Sequence, residues 1–178
     1  MLKSRYPTLL DYNKDFSPDK CGKYSPYPQQ CHLGKANTLS QLKAAYGGTS
    51  DIQWLIPQIV YFQENIPVDK KMNSEQILAL AQVISTEYYY LKTTEIMLFF
   101  SRLLGGSYKV QFFNRIDPNT IIEVLSQQFI PQRNKIFNDE IKRKQKEKEK
   151  ADKDNITWEE YCQRKNINKP NPLNSLYE

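Results

Sequence analysis

The residues whose types and spacing suit them for chemistry or binding fall into three groups. Lys142, Arg143, Lys144, Lys146, Lys148 and Lys150, set against Glu147 and Glu149, form a local basic cluster near the C-terminus. Closely spaced cations of this kind suit contacts to a phosphate backbone; a solvated charged helix is the alternative. Tyr108, Lys109, Phe112, Phe113 and Arg115 interleave rings and cations as single-strand binding surfaces do, although core packing is the favoured reading of the rings. Cys21, Cys31 and His32 could supply three zinc ligands, but ten residues separate the cysteines and no fourth ligand is paired with them, so no metal is expected.

Catalytic patterns are weaker still. His32 is the single histidine, with no serine or aspartate in a motif around it, which argues against a nucleophilic triad. Glu87, Glu95 and Asp117 could in principle do acid–base chemistry, but a cap explains Asp117 and helix solubility explains Glu87. Gly105-Gly-Ser-Tyr-Lys109 follows a helical pattern instead of a strand and reads as helix termination, not as a phosphate loop. The expectation is a protein without catalytic residues or cofactor.

The elements that must position these residues are helical. Thr38-Leu-Ser-Gln41 and Asn73-Ser-Glu-Gln76 have the capping-box pattern, and Ser50-Asp-Ile-Gln53 repeats it ahead of Ile52, Leu55, Ile56, Ile59 and Val60. Pro57 should bend or shorten that second helix. Ile77, Leu80, Ala81, Ile84, Tyr88 and Leu91 form the core stripe of a third helix. Tyr89 and Tyr90 then point away from the stripe, beside Lys92, and are expected to meet a protein partner. A fourth helix, capped by Thr93 or Thr94, carries Ile96, Met97, Phe99, Phe100, Leu103 and Leu104 over an arc too wide for one neighbour. It should be the hub of the fold. Asp117-Pro118 opens a fifth helix that Pro131 divides or kinks.

The fold class is therefore all-α: a compact bundle of about five helices at residues 38–137, flanked by two polar arms. Residues 1–37 hold six Lys/Arg and three Asp/Glu with four prolines, and read as an extended arm whose tyrosines dock partly on the core. Residues 132–178 hold twelve Lys/Arg and nine Asp/Glu, so the formal charge of +5 resides in the ends and not in the middle. From 138 to 178 the pattern is a charged helix or disordered tail. It ends in a short aromatic helix with Trp158 and Tyr161, and this is either a docking peptide or a segment folded back on the core. No run reaches the ~18 apolar residues of a membrane span, and no signal peptide is evident, so a cytoplasmic protein is the expectation.

The run Glu87-Tyr-Tyr-Tyr-Leu-Lys92, with Glu95-Ile-Met-Leu-Phe-Phe100, Arg102, Gly106, Tyr108, Phe113, Asp117-Pro118 and, ahead of it, Lys71-Met72-Asn73, resembles an uncharacterised family. Its members are small helical proteins of Bacteroidales bacteria, phages and integrative elements, and the likeness spans roughly Leu39 to Arg133. Lys109 and Asn114 stand where small residues or glycine are common in that family. In architecture alone, a helical domain with a basic tail and a terminal docking peptide is similar to phage-type helicase loaders. The resemblance implies a replication accessory factor that binds a protein partner and DNA; the alternative is an adaptor or structural protein without nucleic acid.

Overall fold

The computed structural model describes residues 2–154 and 158–165, with the side chains of 152–154, 158 and 159 left out of the description. The regular elements among the described residues are all helical, with isolated β-bridges and no strand. The α-helices are α1 (Leu2–Arg5), α2 (Leu9–Asp15), α3 (Pro28–Leu33), α4 (Leu39–Tyr46), α5 (Ser50–Glu64), α6 (Ser74–Glu87), α7 (Thr93–Leu104), α8 (Pro118–Val124), α9 (Ile130–Asp154) and α10 (Trp158–Lys165). A 3₁₀ turn covers Pro18–Lys23 and a π-turn Leu125–Phe129. Two units are distinguished, Met1–Phe137 and Asn138–Glu178, and their boundary falls within α9.

In the first unit α7 is the hub. Ile96, Met97, Leu98, Phe99, Phe100 and Leu103 are all buried, and α7 packs on α3, α5 and the 3₁₀ turn. The wide apolar arc of this helix thus marks an element covered on every side. α5 lies against α4, α6 and α7, contributing Trp54, Leu55, Ile59 and Phe62. Its buried stripe is rotated from the expected one, because Trp54 and Phe62 go inward while Val60 stays at the surface. Pro57 neither shortens nor ends α5, and its ring occupies the exposed face.

The capping boxes at Thr38/Gln41 and Asn73/Gln76 form as the sequence suggests. Ser50 does not. It lies inside the first turn of α5, buried, and its hydroxyl donates to the Leu42 carbonyl, while Asp51 accepts from Ser85. α7 is capped by Lys92, one residue earlier than expected, and the Thr93 and Thr94 hydroxyls are spent on tertiary hydrogen bonds. Pro131 is absorbed without a break, because the π-turn immediately before it widens the helix by one residue.

The expected extended N-terminal arm is corrected by the structure. Residues 2–33 form three short helices and a 3₁₀ turn, with prolines at the starts of two of these elements, where a missing N–H costs nothing. Tyr12 is fully buried and its hydroxyl hydrogen-bonds Thr93 at 2.7 Å. Trp54 and Gln58 both donate to the Phe16 carbonyl (3.1 and 3.0 Å), and Tyr46 donates to the Tyr6 carbonyl at 2.7 Å. Burying one such ring contributes about 1.5–3 kcal/mol, enough to order a short segment when several act together.

Candidate functional site

Two surfaces and one buried cluster hold the residues of interest. The tyrosines are the first. α6 ends at Glu87, so Tyr88, Tyr89 and Tyr90 form the turn into α7 and are not its outer helical face. The turn is fixed by main-chain bonds to the start of α4 and the residue ahead of its cap: Leu39 donates to Leu91, Ser40 to Tyr89 and Thr93 to Asn37. Tyr89 is 55 % and Tyr90 36 % exposed, and their rings meet edge to face at 5.7 Å. The Arg133 guanidinium stacks over Tyr90 at 5.2 Å and over Phe137 at 4.4 Å. Two exposed rings backed by a guanidinium have the composition of an interaction hot spot.

Lys92, grouped with these tyrosines in the sequence, is placed differently. Its ammonium donates to the carbonyls of His32 and Gly34, at 2.5 and 2.7 Å, closing the end of α3. Gly34 is required there, since a Cβ would lie 2.4 Å from the Gln30 carbonyl oxygen. Burial holds the Lys92 pKa below the usual lysine range, opposed by the charge of Glu95.

Beneath this turn lies a cluster that the sequence did not announce. Glu95, fully buried in α7, takes His32 Nδ1 at 2.8 Å and Arg133 Nε at 2.7 Å on one oxygen and the Lys92 backbone N–H at 2.9 Å on the other. The His32 ring packs on Phe129 at 5.5 Å, and Thr94 donates to the Cys31 carbonyl. One carboxylate thereby joins α3, α7 and α9. The available signal was Glu95 itself, the single acid in a helix apolar on every side, where a charge must be paired. Cys31, beside it, has its thiol pushed up to about 11 by burial. Among the described residues no group of three or more His, Cys, Asp or Glu is arranged to hold a metal.

The other sequence candidates resolve simply. Asp117 caps α8 through the Asn119 N–H, and Glu87 lies exposed at the end of α6. Of the aromatic and basic loop, Tyr108 packs on Phe99 and Phe112 on Phe62, leaving Phe113 outward. Asn114 takes the left-handed conformation (φ 56°), which asparagine tolerates better than most residues.

The second unit contains the basic cluster, on the exposed part of α9. Arg143 is engaged by Glu140 (2.7 Å) and Glu147 (2.5 Å), and Lys144 lies 3.5 Å from Glu140. Lys142, Lys146, Lys148 and Lys150 have no ion pair with a described carboxylate. Lys142, Lys146 and Lys150 recur every fourth residue, so they share one face at steps of about 6 Å. Tyr161 is exposed on α10, and Trp158 is on the same helix with its side chain outside the described residues. After α10 the sequence carries Pro170 and Pro172, which read as an extended end, and both lie outside the described residues.

No described helix is long and apolar enough to cross a membrane. No curated protein and no solved structure matches the chain. A family of unknown function, DUF6633, matches residues 71–171, from the start of the α6 capping box through the tyrosine turn, the hub and both C-terminal helices. That match begins later than the Leu39 boundary read from the sequence, and it covers more than half of the chain, which therefore belongs to this family.

Proposed function

We propose that this is a non-enzymatic binding protein, an accessory factor for DNA replication or maintenance in a phage or mobile element. Its helical unit engages a protein partner at Tyr89 and Tyr90, and α9 contributes electrostatic affinity for DNA. The observation that carries the DNA part is the row Lys142, Lys146 and Lys150 without described carboxylate partners, on a helix stretch with hardly any apolar side chain to bury. Such a stretch gains little from packing, and its charge is available to phosphates. The partner reading is supported by the exposed tyrosine pair that Arg133 braces from behind. Against catalysis, the buried acid Glu95 has its oxygens taken up by His32, Arg133 and the Lys92 backbone.

Fluorescence anisotropy with single- and double-stranded DNA over a salt series tests the proposal. The full chain should bind at low salt with affinity falling steeply as salt rises. Replacing Lys142, Lys146 and Lys150 together by Gln should reduce the slope of log K against log salt by about 2–3, at roughly 0.7–0.9 per phosphate contact. Absence of binding at about 50 mM salt would remove the DNA role and leave a protein adaptor.

A further inference from the structure

A cavity of about 480 Å³ opens in the first unit, walled by α1, the segment after α2 and the segment ahead of α4. Its chemistry comes from Arg5, Tyr6, Phe16, Tyr24, Lys35 and Asn37. We propose that it binds a planar aromatic group carrying a phosphate, of the size of a nucleoside monophosphate. The inference does not rest on the lysine row of α9, which belongs to the other unit.

The volume is that of a small-ligand site and too small for a duplex or a folded domain. Three rings line it: Tyr6 is nearly fully buried and packs edge to face on Phe16 at 6.2 Å and 70°, while Phe16 and Tyr24 are half-buried and remain partly accessible. Partly accessible rings at the cavity favour a flat aromatic guest, which stacks on one of them. The walls are held before any ligand arrives. Tyr6 donates to Asp15 at 2.7 Å, the Phe16 carbonyl accepts from both Trp54 and Gln58, and the Asn37 carbonyl accepts from the Thr93 N–H. Little conformational entropy is left to lose on binding.

Charge selects the rest of the ligand. Arg5 and Lys35 are exposed, and neither forms an ion pair with a described carboxylate; Arg5 lies over the Tyr6 ring at 5.2 Å. A guanidinium and an ammonium at one cavity suit a phosphate dianion, with the guanidinium offering two parallel donors. Asp15 opposes them, but its charge is shared with the Tyr6 hydroxyl. The Asn37 side chain donates to Gln41 at 3.3 Å, which leaves its amide oxygen as an acceptor for an amino group on a base.

The phosphate and base could belong to a free nucleotide or to the 5′ end of a strand. Titration calorimetry on the full chain with adenosine 5′-monophosphate, adenosine, inorganic phosphate and a short 5′-phosphorylated oligonucleotide separates these. The variants are Arg5→Gln/Lys35→Gln, at exposed positions, and Lys43→Gln as a control outside the cavity. The expected result is saturable binding of the monophosphate, weakened at least about tenfold in the double variant and unchanged in the control. Binding of the phosphorylated oligonucleotide with the same sensitivity, and not of the monophosphate, assigns the site to a strand end. Inorganic phosphate binding as well as the monophosphate, affinity unchanged in the double variant, or no binding of either nucleotide probe overturns the proposal.

Discussion

The two ends of the chain carry the same net charge by count and have opposite physical fates. Residues 1–37 hold six cations against three acids, and residues 132–178 twelve against nine. The first segment nevertheless folds onto the helical core, whereas α9 beyond Asn138 is exposed at nearly every described position. The difference is not charge but what accompanies it. The N-terminal segment spaces tyrosines and a phenylalanine between its cations, and three of these rings find both an apolar wall and a polar partner: Tyr12 with Thr93, Phe16 (through its carbonyl) with Trp54 and Gln58, and Tyr6 with Asp15. The stretch from Asn138 to Asp154 offers Ile141 and little else, so nothing compensates the desolvation of its lysines.

The largest expected effect tests how the first unit is tied together. Glu95→Leu should lower the unfolding free energy by about 3–5 kcal/mol in denaturant titration, because it leaves the Arg133 guanidinium and His32 without the buried acceptor they share. A loss below 1 kcal/mol would show that the cluster relaxes to water and is not a tie between helices.

Next comes the docking of the N-terminal segment. Tyr12→Ala should cost about 3–5 kcal/mol and Tyr12→Phe about 0.5–1.5 kcal/mol, since the first removes a buried ring and the second only a hydrogen bond. Equal small effects would return the segment to the status of a loose arm, the same status as the tail.

Alkaline pH sharpens the same contrast. The Cys31 thiol, at 9.0 when free, rises to about 11 through burial, with the charge of Arg102 opposing and that of Glu95 adding. Burial also raises Tyr12. Because the folded values lie above the unfolded ones, the stabilisation is complete below pH 9 and declines as pH rises from 9 toward 11. Thermal unfolding from pH 7 to 11 should show this decline, smaller in Cys31→Ala. In line with it, Ellman's reagent at pH 8 should label Cys162, only partly buried, well ahead of Cys21 and Cys31.

The smallest effect on stability belongs to the tail. Lys142, Lys146 and Lys150 changed together to Gln should alter the unfolding free energy by no more than about 0.5 kcal/mol, while changing DNA affinity most.

The core was legible in the sequence to the degree that local rules governed it. The Thr38 and Asn73 caps, the Asp117-Pro118 start and the wide apolar arc of α7 are written in local sequence, and each appears as read. What failed was decided by distant partners. Proline spacing made residues 1–37 look extended, yet the ring of Tyr12 is held by Thr93, eighty-one residues away. Ser50 carries a capping pattern, but it lies inside the first turn of α5, after Thr49, and its buried hydroxyl donates to the Leu42 carbonyl. The tyrosine run was placed on a helix face because its period continues from α6. The helix instead stops at Glu87, where the following turn pairs with the chain at Asn37–Ser40. Lys92 looked like a surface cation for the same reason, and carbonyls of the N-terminal segment engage it.

Native-state hydrogen exchange on the full chain, with and without single-stranded DNA, most directly tests the claim that one basic end is part of the fold and the other is reserved for a ligand. Amides of α2, Leu9–Asp15, should be protected to within about 1–2 kcal/mol of those in α7, and DNA should not change them. Amides from Lys142 to Lys150 should exchange close to their intrinsic rates and gain protection only when DNA is present. Rapid exchange in α2, or protection of Lys142–Lys150 that is strong alone and indifferent to DNA, would contradict the account.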